Sequence, residues 1–253
     1  MKVIEYGKQN SEIIMLLHGG GLSWWNYRAE AEMLSNQFHV VLPILDGHAG
    51  SDDDFISIEK NASRLISFIN SEYGGSVLLI GGLSLGAQVL VEMLTQRNDI
   101  CRYAVIESAS VIPSKVTNAL VGPTFSLSYS LIKKKWFAKM QFRYLHIRED
   151  LFEDYYTDTS KISKNNMIAF LKANTAYEIK TGIQNACADV RIVVGEKEQK
   201  KMLRSSERLH ELLPGSRLEI KKGLYHGEYS ISHPKLYVKE LLEMLTCISP
   251  MLW

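Results

Sequence analysis

The sequence predicts an α/β fold with a mostly parallel central sheet covered by helices on both faces. Short apolar runs rich in β-branched residues alternate with amphipathic helical stretches in the first half of the chain, and the alternation returns near its end. Several runs are apolar almost throughout, as strands buried on both faces of a parallel sheet must be. The length of 253 residues suits one such domain with an insertion.

Six apolar runs are the predicted strands, and three stretches between or after them are predicted helices. The strands are expected at residues 12–18, 39–45, 76–82, 102–108, 190–195 and 217–222. In the helical stretches apolar residues recur at i, i+3, i+4 and i+7, so each helix offers one apolar stripe to the sheet. These stripes are Ala62, Leu65, Ile66 and Ile69; Ala87, Leu90, Val91 and Leu94; and Val238, Leu241, Leu242 and Leu245.

The alternation stops between about residues 113 and 185, where aromatic residues, lysine and serine are common and no strand run occurs. We predict a helical cap insertion at 113–185, and a core built from 1–112 and 186–253. Residues 131–148 carry six basic and no acidic side chains, and residues 149–160 carry five acidic and no basic ones. These blocks are interpreted as two solvated helix faces; a basic surface that recruits an anionic substrate or partner is the alternative.

Composition narrows the classes of partner. The net charge is +1, so the chain as a whole has no attraction for nucleic acid or an acidic membrane, and a small-molecule substrate is expected. No signal-peptide pattern is present, and no segment reaches the ~18 apolar residues of a membrane span. Cys101, Cys187 and Cys247 are scattered without metal-ligand spacing, which favours reduced thiols and a cytoplasmic location. The composition leaves the oligomeric state open.

The segment Gly82-Leu83-Ser84-Leu85-Gly86 fits the pattern G-x-S-x-G between a predicted strand and a predicted helix. A serine on such a sharp turn needs small neighbours, because the backbone is strained and a Cβ atom on either side would collide. The turn exposes the hydroxyl and directs the N–H groups of the helix N-terminus towards it. Ser84 is therefore the predicted nucleophile; a glycine-rich turn with an incidental serine is the alternative.

A second glycine-rich loop, His18-Gly19-Gly20-Gly21, follows the strand at 12–18. Glycines let a backbone N–H approach a developing oxyanion without obstruction. We predict an oxyanion hole made by the N–H groups of Leu85 and Gly20, with Gly21 as the next candidate. A dinucleotide- or phosphate-binding loop is the alternative, but neither G-x-G-x-x-G nor G-K-[ST] is present.

Together these motifs resemble the α/β-hydrolase superfamily. The likeness rests on His18–Gly21, on Asp46-Gly47-His48, on the serine pentapeptide, and on the late segments GEKE and GLYHGE. It implies a mostly parallel sheet of about eight strands, a variable cap after the sixth, and a triad in the order nucleophile, acid, histidine. It also implies a reaction that needs no cofactor and no metal.

The resemblance assigns the other two members of the triad. His226 lies in a loop of small residues, at Gly223–Gly227, directly after the last predicted strand, where the family has its general base. Glu198 stands where the family usually has an aspartate after the penultimate strand. Glu107, at the end of the strand at 102–108, is the competing acid, because some relatives use that position.

The expected function is hydrolysis of a small or medium carboxylic ester through an acyl-enzyme. Gly21, Trp24 and Trp136 are the predicted substrate-binding residues; for the tryptophans, packing of the cap is the alternative explanation. Other activities on the same triad are cleavage of a C–C bond, thioester, lactone or amide. A ligand receptor with slow or absent turnover is a further alternative from a different functional class.

Overall fold

Seven strands form one sheet in residues 1–246, the part of the chain that the computed structural model describes; Cys247 lies outside it. The strands are β1 (Val3–Tyr6), β2 (Ile13–Leu17), β3 (His39–Pro43), β4 (Val77–Leu83), β5 (Cys101–Glu107), β6 (Asp189–Gly195) and β7 (Arg217–Lys221). Their order is β1-β3-β2-β4-β5-β6-β7. Strand β1 pairs antiparallel with β3, and every other pairing is parallel.

The predicted fold class is confirmed, with two differences. The described sheet has seven strands, whereas the resemblance implied about eight. The sequence patterns did not predict β1, which is a half-buried edge strand of four residues and lacks the continuous apolar run of a central strand.

Ten α-helices accompany the sheet in the described part of the chain, and the three predicted helical stretches fall in α2, α3 and α10. They are α1 (Arg28–Leu34), α2 (Ile58–Glu72), α3 (Leu85–Gln96), α4 (Lys115–Ile132), α5 (Lys135–Tyr144), α6 (Phe152–Thr159), α7 (Lys164–Ala176), α8 (Lys200–Leu212), α9 (Glu228–Ser232) and α10 (Pro234–Thr246). Short 3-10 helices occur at Trp24–Tyr27, Glu149–Leu151 and Ile183–Asn185. Within residues 1–246, no helix is both long enough and apolar enough to cross a membrane.

The sheet is buried on both faces because side chains alternate along each central strand. In β2, Met15 and Leu17 pack into one apolar core with α2 and α3. The intervening Ile14 and Leu16 pack into a second core with α1 and α10. All four side chains are at most 1% exposed, so the sequence of β2 is apolar without interruption.

Helices α4 to α7 all lie between β5 and β6, inside the range 113–185 where a cap is predicted. The resemblance implied a position after the sixth strand; these helices follow the fifth, and the described sheet has one strand fewer than implied. The two ends of the segment are tied together, since the Ser114 N–H donates to the Thr175 carbonyl at 2.9 Å. On the core side, the Thr159 hydroxyl donates to the Gly21 carbonyl at 3.1 Å.

A close contact between β2 and the start of α3 fixes the turn at Ser84. A Cβ atom on Gly86 would lie 2.6 Å from the carbonyl oxygen of His18, and closer still to that of Leu17. These obstacles are backbone atoms, which cannot rotate away as a side chain can. Only glycine therefore allows α3 to begin so near the end of β2.

Gly86→Ala is expected to lower the free energy of unfolding by roughly 1–3 kcal/mol or more, because the added methyl group forces β2 and α3 apart. Urea unfolding followed by circular dichroism measures the change. Gly122→Ala is the matched control: its Cβ would contact only the side chain of Lys172, at 3.6 Å. Inside α4 that change should stabilise by up to about 1 kcal/mol. Equal stability of Gly86→Ala and the wild type would contradict the steric argument.

Candidate active site

Ser84 occupies a strained turn between β4 and α3. Its backbone has φ 52° and ψ −109°, a conformation that residues with a Cβ atom rarely adopt. The turn is so tight that a Cβ on Gly82 would lie 2.6 Å from the carbonyl oxygen of Gly86. The Ser84 N–H donates to the Glu107 carbonyl at 2.9 Å, which anchors the turn to β5. The geometry matches the strand–turn–helix context expected from G-x-S-x-G.

The structure brings together the three residues predicted as a triad. The distance between Ser84 Oγ and His226 Nε2 is 3.0 Å, and that between His226 Nδ1 and Glu198 Oε2 is 2.7 Å. Both are hydrogen-bond distances. With Nδ1 protonated, His226 donates to the carboxylate and its Nε2 accepts from the serine hydroxyl. The side chain of Glu198 is fully buried, whereas that of His226 is 44% exposed.

Three hydrogen bonds hold the Glu198 carboxylate. Its Oε1 accepts from the Ser108 hydroxyl at 2.7 Å and from the Gly195 N–H at 2.8 Å, and its Oε2 accepts from His226. Burial alone would raise the pKa of Glu198, but the hydrogen bonds and the His226 charge outweigh it and lower the pKa below its ordinary value. Sequence reasoning missed Ser108, because nothing in the run Glu107–Ser110 distinguishes one serine from the next.

Gly195 brings the acid and the histidine loops into contact. A Cβ atom there would lie 2.8 Å from the Tyr225 carbonyl oxygen and nearer still to that of Leu224. Beside it, the Lys197 N–H donates to the Leu224 carbonyl at 2.9 Å. The loop after β6 and the loop after β7 therefore meet backbone to backbone. This contact holds Glu198 and His226 at a fixed separation.

The pKa of His226 is set by two opposing effects. Desolvation alone would lower it, but the hydrogen bond and charge of Glu198 outweigh that effect and raise the pKa above the ordinary 6.5. A more basic imidazole accepts a proton more readily, and the adjacent carboxylate stabilises the imidazolium that results.

Glu107, the competing acid, is buried at the end of β5. Its Oε1 accepts from the Ser230 N–H at 3.2 Å, while Oε2 has no hydrogen-bond partner among residues 1–246. Burial raises the pKa of Glu107 to about 7, which favours its neutral form. Glu198, and not Glu107, is the carboxylate in contact with the imidazole of His226.

Two backbone N–H groups next to Ser84 have no acceptor within the described residues: those of Gly20 and Leu85. The two residues are adjacent in space, since a Cβ on Gly20 would lie 3.4 Å from that of Leu85. The Gly21 N–H, in contrast, donates to His48 Nε2 at 3.0 Å and is not available. The two N–H groups predicted to form the oxyanion hole are therefore free of internal acceptors in the described residues, whereas the N–H of the next candidate, Gly21, is already hydrogen-bonded.

His18 and His48 order the loops around the site. His18 Nε2 accepts from the Leu45 N–H at 3.1 Å, and its Nδ1 lies 2.9 Å from the Gly19 carbonyl. Burial lowers the pKa of His18 to about 3 and that of His48 to about 4, so both are neutral. Phe170 of α7, which sequence reasoning also missed, stacks on His48 with ring centroids 4.6 Å apart.

A cavity of about 380 Å³ opens beside His226 and Glu198. Its walls include Tyr144, His146 and Tyr225, and the rings of His146 and Tyr225 are stacked at 3.8 Å. Its volume suits a small molecule.

Neither of the tryptophans predicted to bind substrate lines this cavity. Trp136 is 65% exposed on α5, and Trp24 lies under the guanidinium of Arg28 at 4.7 Å. Their role in binding stays a prediction. Among residues 1–246, no three His, Cys, Asp or Glu side chains are grouped so that they could hold a metal ion.

Comparison with known proteins identifies the family. Residues 14–213 match the α/β hydrolase family. An enol-lactonase from Burkholderia xenovorans is similar in structure, with a TM-score of 0.81, 14% identity, and coverage of 97% of this chain and 96% of that one. An esterase from Thermogutta terrifontis has a TM-score of 0.78 and 16% identity, with coverage of 96% of this chain and 92% of that one. An esterase from Exiguobacterium antarcticum has a TM-score of 0.80 and 17% identity, with coverage of 96% and 94%. No curated protein sequence matches. The chain belongs to the α/β hydrolase family.

Proposed function

We propose that this protein is a serine hydrolase that cleaves small or medium carboxylic esters through an acyl-enzyme. The observation that carries the proposal is the continuous hydrogen-bonded series from Ser84 through His226 to Glu198. At the Ser84 end of this series, the N–H groups of Gly20 and Leu85 have no acceptor within residues 1–246. A nucleophile, a base, an orienting acid and an oxyanion site are the parts that acyl transfer requires.

In the proposed acylation, Ser84 Oγ attacks the ester carbonyl carbon while its proton passes to His226 Nε2. The carbonyl oxygen becomes an oxyanion and accepts from the N–H groups of Gly20 and Leu85. Glu198 stabilises the imidazolium. When the intermediate collapses, the C–O bond breaks and the alcohol leaves with the proton from His226. In deacylation water replaces the alcohol: His226 takes its proton, the acid is released, and Ser84 regains its hydrogen.

An ester and a lactone are the two leading candidates for the bond that is cleaved. Two similar structures are esterases, which favours an ester, and the enol-lactonase makes a lactone the second candidate. At identities of 14–17% these likenesses carry the fold and not the substrate. Hydrolysis rates measured on matched acyl esters, thioesters, amides and lactones separate the candidate bond types. If a fluorophosphonate probe labels Ser84 but none of these substrates is hydrolysed, the protein would be a ligand receptor.

Ser84→Ala is expected to leave the fold intact and to lower kcat on the best substrate by on the order of 10³-fold or more, because the nucleophile is absent. A fluorophosphonate probe should label the wild type and leave this variant unlabelled. Ser126→Ala, at an exposed position of α4, is the matched control and should behave as the wild type. If the Ser84 variant kept a tenth of the activity, another residue would be the nucleophile.

Glu198→Gln keeps the size of the side chain and removes its charge, so the imidazolium loses its stabilising partner. The expected loss in kcat is roughly 10²- to 10⁴-fold, with little change in KM. Glu107→Gln is the comparison, and there we expect less than about a tenfold loss, because Glu107 makes no hydrogen bond to the imidazole. Steady-state kinetics on both variants decides between the two acids: the reverse ranking would move the acid to β5.

The pH dependence of kcat/KM should follow the protonation of His226. Only the neutral imidazole can accept the serine proton, so activity should fall as the pH drops through the His226 pKa, with a midpoint above 6.5. Because Glu198 is the group that raises this pKa, Glu198→Gln should move the midpoint to lower pH while reducing the plateau. A midpoint that stays in place in this variant would show that Glu198 does not interact with the titrating group.

A further inference from the structure

Helices α4 and α5 expose an unusual amount of apolar surface. Eight of the thirteen large apolar side chains that are exposed in residues 1–246 lie between positions 116 and 145. They are Val116, Leu120, Leu127, Leu131, Trp136, Met140, Tyr144 and Leu145. Contiguous exposed apolar patches on soluble domains mark interaction sites.

The apolar side chains form one stripe on each helix. At 100° per residue, positions 116, 120, 127 and 131 fall within about 60° of one another on α4. The packed side chains of α4, Val121 and Ile132, lie about 80–160° away from these positions around the helix. On α5, positions 136, 140 and 144 are four residues apart and share a face, while Ala138 and Phe142 are buried. Each helix therefore packs by one face and leaves an apolar face without a partner in the described structure.

The charge around these stripes is of one sign. Residues 115–148 contain seven basic and no acidic residues. Each of the three carboxylates of α6 has a partner. Asp154 pairs with Arg28 at 3.0 Å, Asp158 accepts from the Trp25 indole at 3.0 Å, and the exposed Glu153 pairs with Lys135 at 2.7 Å. Within residues 1–246, no carboxylate lies within salt-bridge distance of four exposed cations. They are Lys133, Lys134, Lys139 and Arg143.

We propose that this α4–α5 surface, the two apolar stripes together with these four cations, binds an anionic lipid surface. Helices that lie in a membrane interface combine an apolar face with Lys and Arg beside it, and tryptophan is favoured at that depth. Basic residues next to the bilayer are attracted to its acidic headgroups. The whole-chain charge of +1 conceals this attraction, because it sums over the entire chain, whereas residues 115–148 by themselves carry seven basic and no acidic side chains.

A second copy of this chain fits the surface less well. A symmetric dimer through the same patch would bring two sets of unpaired cations together, and like charges facing one another at an interface are unfavourable. An anionic lipid surface satisfies the cations and buries the leucines at the same time.

The position of the surface relates it to the catalytic site. Tyr144 belongs to the apolar face of α5 and also lines the cavity beside His226. The α4–α5 surface therefore adjoins that cavity, and a lipid chain bound on the surface would lie next to it. The binding proposal itself does not depend on the hydrolase activity, and Ser84→Ala should bind lipid as the wild type does.

Co-sedimentation of the intact protein with vesicles tests the proposal. Vesicles of phosphatidylcholine mixed with phosphatidylserine should bind the protein, vesicles of phosphatidylcholine alone should bind it less, and added NaCl should weaken binding to the mixed vesicles. Lys134→Gln/Lys139→Gln should weaken partitioning by roughly tenfold or more. Leu120→Ser/Leu127→Ser should weaken it by a similar factor or more.

Matched controls separate the surface from a general effect. Ile56→Ser removes an apolar side chain that is 66% exposed and lies outside α4 and α5, and Lys60→Gln removes an exposed charge on α2. Both variants should bind the vesicles as the wild type does. The lysine variant alters only exposed side chains, so it decides the matter even if the leucine variant is damaged. The proposal is overturned if the wild type binds neither vesicle, or if the controls weaken binding as much as the α4–α5 variants. Concentration-dependent dimerisation without lipid binding, lost in Leu120→Ser/Leu127→Ser, would assign the surface to self-association instead.

Discussion

The geometry of the candidate active site depends on the backbone contact between the first turn of α3 and the end of β2. Gly86 permits this contact, since a side chain there would meet the carbonyl groups of Leu17 and His18. The contact holds Ser84 in its strained conformation at the top of the sheet. It also brings the glycine loop after β2 against α3, so that Gly20 and Leu85 are in contact. The turn at Ser84 and the proposed oxyanion site therefore both depend on the close approach that Gly86 allows.

The two candidate acids differ mainly in how many hydrogen bonds their carboxylates accept. Both Glu107 and Glu198 are buried near His226, and burial by itself pushes either carboxyl towards its neutral form. Glu198 receives three hydrogen bonds, including one from the imidazole, and its pKa falls. Glu107 receives one, from the Ser230 N–H, and its pKa rises to about 7. The number of hydrogen-bond donors around each carboxylate, and not the sheet, therefore decides which of the two stays ionised.

The sequence predicted the parts of the site that depend on local backbone geometry. The turn at Ser84 needs glycine on both sides, so its chemistry is visible in five consecutive residues. Ser108 could not be predicted, because its bond to Glu198 joins residues 90 positions apart and serine has no distinctive pattern. The tryptophans illustrate the opposite problem. An aromatic residue beside a glycine loop or in an insertion suits a pocket, yet whether it faces a cavity, packs or is exposed is decided by tertiary contacts that a single sequence does not contain.

The same limitation applies to charge. Counted along the chain, the blocks at 131–148 and 149–160 nearly cancel, and solvated helix faces are the natural interpretation. In the fold both α5 and α6 pack one face against the core. The two blocks differ in what their charges contact, since Asp154 and Asp158 of α6 bond to Arg28 and Trp25. Four cations of the basic block have no carboxylate within salt-bridge distance among residues 1–246, and they lie next to exposed apolar side chains that have no partner in the described structure. The segment between β5 and β6 thus lacks the strand–helix alternation of the core and carries exposed cations beside exposed apolar side chains. A helical insertion can acquire a binding surface of its own in this way, while the sheet beneath it keeps the geometry on which Ser84 depends.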